Sequence, residues 1–253
     1  MSGPGAGTCE DGPLRDGIIV LGDAHLDLSF AAVRHIHDTP LFNCSRSGHG
    51  VSVGFPFLSN GTARIHHVTV SDYAQVGIIV FNEGSAAEIT HSVVTGIGPS
   101  TVVANTGIEF VLGAVGRVFH SVISGNACGS PDLGCGPNFF EEFQAAGVSA
   151  GGAGTTIEHD ILIGNQVGIY VADAADVHHN LLVGNDHFGV ALQDGTFEIH
   201  DNLITGGSGG VAVIAAFADT TAVLRHVAIT GTSGPAVQEL ECCGFTATVT
   251  RSR

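Results

Sequence analysis

The sequence predicts an all-β protein folded as a parallel β-helix of about eight to nine coils. A motif of glycine, an apolar residue, any residue and a second apolar residue recurs along the chain. Consecutive copies at Gly168, Gly189 and Gly210 are spaced 21 residues apart. The segments between the copies are rich in Val and Ile, and none has a sustained apolar stripe at helical spacing. Repetition at a period in the low twenties, without a helix, is typical of a β-solenoid.

The glycine motif predicts one strand in each coil, because its apolar residues alternate with variable ones. Residues that favour tight turns, namely Gly, Asn, Asp and Ser, separate these strands from the neighbouring apolar runs. Copies of the motif begin at Gly17, Gly50, Gly77, Gly107, Gly147, Gly168, Gly189 and Gly210.

A second motif places a histidine two residues after an apolar residue and another apolar residue three positions later, as in Ile65, His67 and Val70. In a solenoid these histidines stack along one edge, with neighbours about 4.8 Å apart. We interpret the column as structural, hydrogen-bonded to turn carbonyls and free of metal, because ligands in a row do not converge on one ion. A zinc or copper strip is the alternative. The column contains His67, His91, His120, His159, His179 and His226, with Asp201 at the same position in one coil.

Together the motifs read Ile-x-x-Asn-x-Ile followed by Gly-Ile-x-Val. In this form the chain resembles the right-handed parallel β-helix proteins of the pectate-lyase-like superfamily over nearly its whole length. Asn180 and Asn202 match the turn asparagine of that superfamily, to which we attribute a left-handed backbone conformation. The resemblance implies one single-stranded right-handed β-helix over residues 17–250, after an N-terminal tail or cap of residues 1–16.

The resemblance does not extend to a specific activity within the superfamily. A Gly-His-Gly tripeptide at residues 48–50 matches one polygalacturonase motif, but residues 105–107 have glycine where that family has an acid. The acid cluster of pectate lyases and the Asp-Pro-His of alginate epimerases are not found in the sequence. No catalytic residue is therefore transferred from a known family.

The composition limits the partners that this chain can bind. It has eight basic residues, all of them arginine, against 24 acidic ones, and its net charge is −16. This balance argues against nucleic acid, because phosphate neutralisation needs a basic surface. It also disfavours unaided binding of an acidic polysaccharide. No apolar run approaches the length of a membrane span, and the oligomeric state is left open.

The six cysteines favour a secreted protein whose signal peptide is not part of this chain. The main prediction is a disulfide across a short polar loop, because six residues with Gly and Pro among them can bring the two Cβ atoms together. Six reduced, packed cysteines are the alternative. The predicted pairs are Cys128–Cys135 and, as a second prediction, Cys9–Cys44, while the adjacent Cys242 and Cys243 either bridge each other or pair elsewhere.

The regular repeat is interrupted by three inserted loops, predicted at residues 38–62, 96–106 and 124–146. The last two expand the same connection in neighbouring coils, and long loops on a solenoid lie on one face, often the binding face. In the longest loop, Asn138 and Glu141 have the spacing of a helix capping box, which predicts one short helix.

We predict the functional site where loops 96–106 and 124–146 overhang the glycine-motif strands, because a concave pocket needs a wall. A carboxylate, a phenol and an imidazole beside these loops suit acid–base chemistry on a sugar; solvated surface side chains are the alternative. The only cofactor left open is Ca²⁺. The candidates are Glu109, Tyr170 and His187 as catalytic residues, Gln75, Ser149, Gln166, Phe140 and Phe143 as substrate-binding residues, and Asp132, Glu141 and Glu142 as Ca²⁺ ligands.

Three classes of function fit these observations. The first is a carbohydrate-binding or carbohydrate-processing protein of the lyase, hydrolase or epimerase kind. The second is a non-catalytic extracellular scaffold or adhesion protein. The third is a small-molecule lyase or cyclase with its pocket beneath residues 139–143. Whether the chain is an enzyme is left open by the sequence.

Overall fold

The computed structural model describes residues 16–36, 48–100, 104–129, 138–142 and 144–252. Within them the chain forms a parallel β-helix, as predicted, and contains no helix. Three parallel sheets run along the solenoid with nine, nine and eight strands, which agrees with the predicted eight to nine coils. Each strand pairs with its counterpart in the next coil.

The glycine motifs form the first sheet. Their glycines are required because the coils approach closely: a Cβ on Gly107 would lie 2.4 Å from the carbonyl oxygen of Gly147. The strands of this sheet are β1 (Ile18–Val20), β4 (Val51–Val53), β7 (Val76–Phe81), β10 (Thr106–Val111), β13 (Ala146–Ala150), β16 (Val167–Ala172), β19 (Phe188–Gln193), β22 (Gly209–Ala215) and β25 (Val237–Glu241).

The second and third sheets complete each coil. The second contains β2 (Ala24–Ser29), β5 (Gly61–His66), β8 (Ala86–Thr90), β11 (Val115–Phe119), β14 (Thr155–Glu158), β17 (Ala175–His178), β20 (Thr196–His200), β23 (Thr220–Arg225) and β26 (Ala247–Ser252). The third contains β3 (Ala32–Ile36), β6 (Thr69–Tyr73), β9 (Val93–Ser100), β12 (Val122–Cys128), β15 (Ile161–Ile163), β18 (Leu181–Val183), β21 (Leu203–Thr205) and β24 (Ala228–Thr230).

The core is a stack of aliphatic side chains inside the coils. In the first sheet the register places each motif's first apolar residue over the next, so that these residues are fully buried along the interior. This stacking explains why the repeat tolerates many changes at its variable positions but keeps Ile or Val at this one. The stacked residues include Ile78, Ile108, Val148, Ile169, Val190 and Val211.

The predicted histidine column lies at the turn between the second and third sheets. Its residues have backbone φ angles between 49° and 56°, so the left-handed conformation occurs at the histidine position of each turn. The prediction that Asn180 and Asn202 hold this conformation was therefore wrong by one residue. The imidazoles of this column stack on each other as predicted, but among the described residues none of them hydrogen-bonds a turn carbonyl. The ring centroids of His67 and His91, for example, are 5.1 Å apart, and the ring planes differ by 6°.

Asn180 and Asn202 instead belong to a buried ladder of side chains beneath this turn. The side-chain oxygen of Asn202 accepts the N–H of Asn180 at 2.9 Å, and that of Asn180 accepts the N–H of Asp160 at 3.0 Å. The ladder continues through the carboxyl group of Asp160 to the N–H of Ser121 at 2.6 Å. The side chains point inward because each rung must satisfy main-chain groups that no water reaches.

A second buried ladder lines the turn between the third and first sheets. The side-chain oxygen of Asn185 accepts the N–H of Asn165 at 3.1 Å, and that of Asn165 accepts the N–H of Asn126 at 3.2 Å. The amide of Asn105 donates to the carbonyls of Ala74 and Gln75 in the preceding coil. These amides hold the connection from which the inserted loops depart.

The inserted loops differ from the predicted boundaries because their first residues continue the third sheet. β9 extends to Ser100 and β12 to Cys128, and the two extensions pair with each other after a register shift between Ser124 and Asn126. The segment predicted as loop 38–62 contains β4. Pairing between neighbouring coils therefore persists into residues that show no repeat in the sequence.

The predicted short helix is a single turn. The N–H groups of Glu141 and Glu142 donate to the main-chain oxygen of Asn138, and the N–H of Phe140 donates to its side-chain oxygen at 3.1 Å. The reciprocal bond of the cap comes from Glu142, whose carboxylate accepts the N–H of Asn138 at 2.7 Å. Such a short segment gains too few hydrogen bonds to propagate a helix.

Of the predicted cysteine pairs, Cys128–Cys135 and Cys9–Cys44 each include residues outside the described part of the chain and remain predictions. Cys242 and Cys243 form a disulfide with each other. The proposed Ca²⁺ ligand Asp132 and the proposed binding residue Phe143 also lie outside the described residues.

Candidate functional site

Residues 138–142 and Gln144 lie against the outward face of the first sheet. Phe139 is buried there, with its ring parallel to Tyr170 at 6.2 Å and tilted against Phe188 at 5.7 Å. This apolar cluster continues into Ala191 and Ala212 on the same face. The described residues of this insertion therefore form a wall over the sheet.

Two of the predicted site residues anchor this wall. The side-chain oxygen of Gln166 accepts the N–H of Cys128 at 3.3 Å and that of Ala145 at 2.9 Å, so it joins both ends of the insertion. The imidazole Nδ1 of His187 lies 3.0 Å from the side-chain oxygen of Gln144 and donates to it. Gln166 is buried, and burial lowers the pKa of His187, which keeps its ring neutral. Both residues position the wall.

A cavity of about 420 Å³ lies between the wall and the sheet. Its floor comes from β13, β16 and β19, and its rim from the turn at Asn138. Ser149 and Phe140 were predicted as binding residues, and both face the cavity. The lining residues are Phe139, Phe140, Glu141, Glu142, Gln144, Ser149, Tyr170 and Gln193.

Tyr170 forms the centre of the cavity floor. Its hydroxyl donates to the side-chain oxygen of Gln193, whose amide donates to Asp194 at 2.8 Å. Burial raises the pKa of Tyr170 to about 12, and the charge of Asp194 acts in the same direction. The phenol therefore stays protonated and holds Gln193 in place, which gives it an orienting part in the site.

Glu109 lies beside the cavity but outside its lining. It is in register with Ser149, and Ser149 with Tyr170, so two strand spacings, about 10 Å, separate Glu109 from the tyrosine. Burial raises the pKa of Glu109, while the positive charge of His49 opposes that shift. Within the described residues its carboxyl group has no hydrogen bond or ion pair that would offset this burial.

The predicted catalytic trio does not converge on one point. Tyr170 faces the cavity, His187 holds the base of the wall, and Glu109 lies on β10 outside the cavity lining. Gln75 lies at the start of β7, where its main-chain groups pair with Gly48 and Thr106. Phe139, Gln144 and Gln193 were not predicted as site residues. Only the packed structure shows that the Phe139 ring packs on the sheet and that the side chains of Gln144 and Gln193 line the cavity.

A second cavity, of about 440 Å³, adjoins a buried cluster of Asp16, His49 and Ser52. The hydroxyl of Ser52 donates to Asp16 at 2.8 Å, and Nδ1 of His49 lies 3.1 Å from that hydroxyl. Burial alone would raise the pKa of Asp16, but hydrogen bonds from His49 and Ser52 hold this pKa below its ordinary value. The Gly-His-Gly tripeptide was the only signal of this cluster in the sequence. The rest of the wall is apolar, with Phe55, Pro56, Phe57, Leu58 and Phe81.

Histidines and acids also meet on the outward edge of the second sheet. A second column, one residue before the predicted one, contains His178 and His200, whose rings stack at 4.8 Å. Three groups on this edge bring imidazole and carboxylate ligand atoms within 4.8 Å of one another. Histidines of one column lie in a row, whereas two adjacent columns and the acids beside them bring ligand atoms together, which was not predicted from the sequence. The groups are Glu158 with His159 and His178, Asp176 with His178 and His200, and His179 with His200 and Asp201.

Comparison with known proteins agrees with the observed architecture. The family model described as right-handed beta helix region matches residues 53–225. The crystal structure of a mutant of the periplasmic alginate epimerase AlgG superimposes with a TM-score of 0.57 at 12% sequence identity, covering 90% of this chain and 61% of that chain. The chain thus spans less than two thirds of that structure, and the likeness shows the fold. None of the curated proteins matches the sequence.

Proposed function

The chain belongs to the right-handed β-helix family, and from this premise we propose that it binds carbohydrate in the cavity beneath residues 138–144. The observation that carries the proposal is the composition of the cavity, where the Phe140 ring lies among amide, hydroxyl and carboxylate groups. Sugars present apolar ring faces edged with hydroxyl groups, so a binding site needs both kinds of surface. Clefts with a few placed polar groups on an apolar wall are typical ligand sites.

The charge of the cavity indicates the kind of carbohydrate. Glu141 and Glu142 are on its rim, and none of its described lining residues is basic. The chain as a whole carries a net charge of −16. We therefore propose that the cavity binds neutral saccharides. It binds acidic saccharides only when a cation such as Ca²⁺ bridges the carboxylates of the protein and those of the saccharide. The structural relative is an alginate epimerase by name, which supports a saccharide ligand in the same fold.

Processing of the bound saccharide is the finer part of the proposal. Glu109 is the candidate acid, because its raised pKa favours a proton donor and its strand is adjacent to that of Ser149. A saccharide that extends from the cavity along the sheet would reach Glu109 one coil away. Tyr170 orients Gln193 for the ligand rather than exchanging protons itself.

A secreted location is part of the same proposal. The Cys242–Cys243 disulfide and the periplasmic location in the name of the structural relative support it. Within the described residues, no helix has the length and hydrophobicity needed to cross a membrane.

The test is calorimetric titration of the chain with neutral and uronic oligosaccharides, each in Ca²⁺ and in EDTA. We expect neutral oligosaccharides to bind in both buffers and uronic ones in Ca²⁺ alone. Glu109→Gln should keep the affinity and abolish any turnover of a bound saccharide. Absence of binding by every saccharide in both buffers would overturn the proposal.

A second candidate function rests on the cavity beside Asp16, His49 and Ser52. Its largely apolar wall and its buried acid–imidazole–hydroxyl cluster suit a small hydrophobic molecule with one polar group. This is the small-molecule class predicted from the sequence, at a different place in the chain. Titration with apolar small molecules, repeated with Ser52→Ala, separates it from saccharide binding.

A further inference from the structure

The outward edge of the second sheet holds a side-chain arrangement that saccharide binding does not use. Asp176 and His178 are on β17, and His200 is on β20, in register with His178. The two imidazole rings stack with an interplanar angle of 7°. Their Nε2 atoms both face Asp176, at 3.6 Å from one carboxylate oxygen for His178 and 3.9 Å from the other for His200.

The other nitrogen of each ring is already occupied. Nδ1 of His200 donates to the carboxylate of Asp201 at 2.8 Å, which leaves Nε2 of the neutral ring with its lone pair. Nδ1 of His178 lies 2.9 Å from Nδ1 of His179 and can donate to it, with the same result. A carboxylate behind a ligating imidazole fixes its tautomer and orientation in metal sites.

From this geometry we propose that Asp176, His178 and His200 bind a divalent transition-metal ion such as Zn²⁺. Two imidazoles and one carboxylate are a common ligand set for such ions, with a fourth position left for water. Zinc bonds of about 2.0–2.2 Å in a tetrahedron separate ligand atoms by roughly 3.3 Å. The nitrogen-to-oxygen separations of 3.6 and 3.9 Å are close to this value. The ligand nitrogens of the two nearly parallel rings lie within 4.8 Å of each other, so binding requires the partly exposed imidazoles to turn toward one another.

The neighbouring charges favour this group over the other two. Glu158 is hydrogen-bonded to Arg117 at 2.6 Å, so a guanidinium occupies the first alternative group. Asp201 is shared by His200 and His226. Arg225, the register neighbour of His200, is paired with Glu198 at 2.7 Å. Among the described residues, Asp176 has only the two imidazoles as close partners and no guanidinium competes for its carboxylate.

The ion would join adjacent coils. It bridges β17 and β20 on the outside of the solenoid, where the other lateral contacts are main-chain hydrogen bonds, stacked rings and ion pairs such as Arg225 with Glu198. Binding to the folded state alone stabilises the protein by an amount that grows with the logarithm of the ligand concentration. The resulting rise in the thermal midpoint is a readout that does not depend on any activity. His179, from the histidine column predicted from the sequence, holds the Nδ1 side of His178. The column itself need not bind the ion.

The test is calorimetric titration with Zn²⁺ of metal-free protein that carries no polyhistidine tag. We expect one site, loss of about 100-fold or more in affinity in His178→Ala and His200→Ala, and about 10–100-fold in Asp201→Asn, which only orients a ligand. Asp176→Asn keeps the shape of the side chain and should weaken binding at least tenfold. Thermal midpoints with and without Zn²⁺ should follow the same order.

His91→Ala is the matched control, because His91 stacks on a neighbouring histidine in the same way but belongs to none of the three groups. It should bind Zn²⁺ like the parent. The proposal is overturned if the parent binds no Zn²⁺, if the ligand variants bind it as tightly as the parent, or if His91→Ala weakens binding equally.

Discussion

The hydroxyl of Tyr170 on β16 donates a hydrogen bond to the side-chain oxygen of Gln193 on β19. This bond ties the floor of the candidate cavity to the next coil and sets the direction of the Gln193 amide. Tyr170→Phe should therefore weaken saccharide binding about tenfold and lower the free energy of unfolding by about 1 kcal/mol, the usual value of one hydrogen bond. Titration and urea denaturation measure the two effects. Unchanged affinity would show that Gln193 does not contact the ligand.

The buried Asp160 is predicted to make stability depend on pH. One of its carboxyl oxygens accepts the N–H of Ser121, and the other is buried without a partner within the described residues. At the same place Asn180 uses its amide nitrogen to donate to the carbonyl of Ile157. Only a protonated carboxyl group can imitate that donor, and burial raises the pKa of Asp160 to about 8.

The direction of this pH dependence follows from the different pKa values of Asp160 in the folded and the unfolded chain. Asp160 keeps its proton when folded up to about pH 8, whereas an unfolded aspartate releases it near pH ~3.9. The folded protein thus loses stability as pH rises from about 4 to about 8, and the loss is complete above that pH. Asp160→Asn should raise the thermal midpoint, with a gain that grows between pH 5 and pH 8. An equal gain at both pH values would contradict a titrating Asp160.

Gln166 is predicted to control the mobility of the wall. Gln166→Ala removes the acceptor shared by Cys128 and Ala145, so hydrogen exchange at the amide of Ala145 should accelerate. Saccharide affinity should fall as well, although the substituted side chain is buried and touches no ligand. Gln238→Ala, on the same sheet and partly exposed, is the control and should leave both measurements unchanged. Slow exchange at Ala145 in the variant would argue against the anchor.

Asn165 tests the asparagine ladder. Its side-chain oxygen accepts two hydrogen bonds from Asn126, and its amide donates to the carbonyl of Ile123. Asn165→Ala leaves several buried groups unpaired and should cost about 3 kcal/mol or more in urea denaturation. Thr196→Ala, at an exposed strand position, should change the free energy of unfolding by less than about 0.5 kcal/mol. Equal effects would mean that water replaces the Asn165 bonds.

The fold was predictable because stacking constrains the same positions in every coil. The glycine before Ile108 must let the next coil approach, and Ile108 must fill the interior, so both recur and reveal the period. The left-handed residue was misplaced because histidine tolerates that conformation less commonly than asparagine, and the sequence contains no sign of which side chain points inward.

The candidate site was only partly predictable, because it is formed where the repeat stops. That residues of loop 124–146 would lie near Ser149 and Tyr170 followed from their position in the coil, whereas the overhang of loop 96–106 remains a prediction. The contacts of the wall could not be predicted in this way. Phe139 and Phe140 are adjacent and chemically identical, and only packing buries the first and places the second in the cavity lining. Gln166 occupies the same coil position as His187, and nothing local shows that both ends of an insertion meet at its amide.

The central claim, saccharide binding in the cavity lined by Phe140, is tested most directly by one pair of variants. Phe140→Ala removes the partly exposed ring from the cavity, and Phe217→Ala removes a ring that is 80% exposed outside its lining. In titrations with the best-bound neutral oligosaccharide, Phe140→Ala should weaken binding at least tenfold, about 1.4 kcal/mol, and Phe217→Ala should bind like the parent. Equal affinity of Phe140→Ala and the parent would contradict the account.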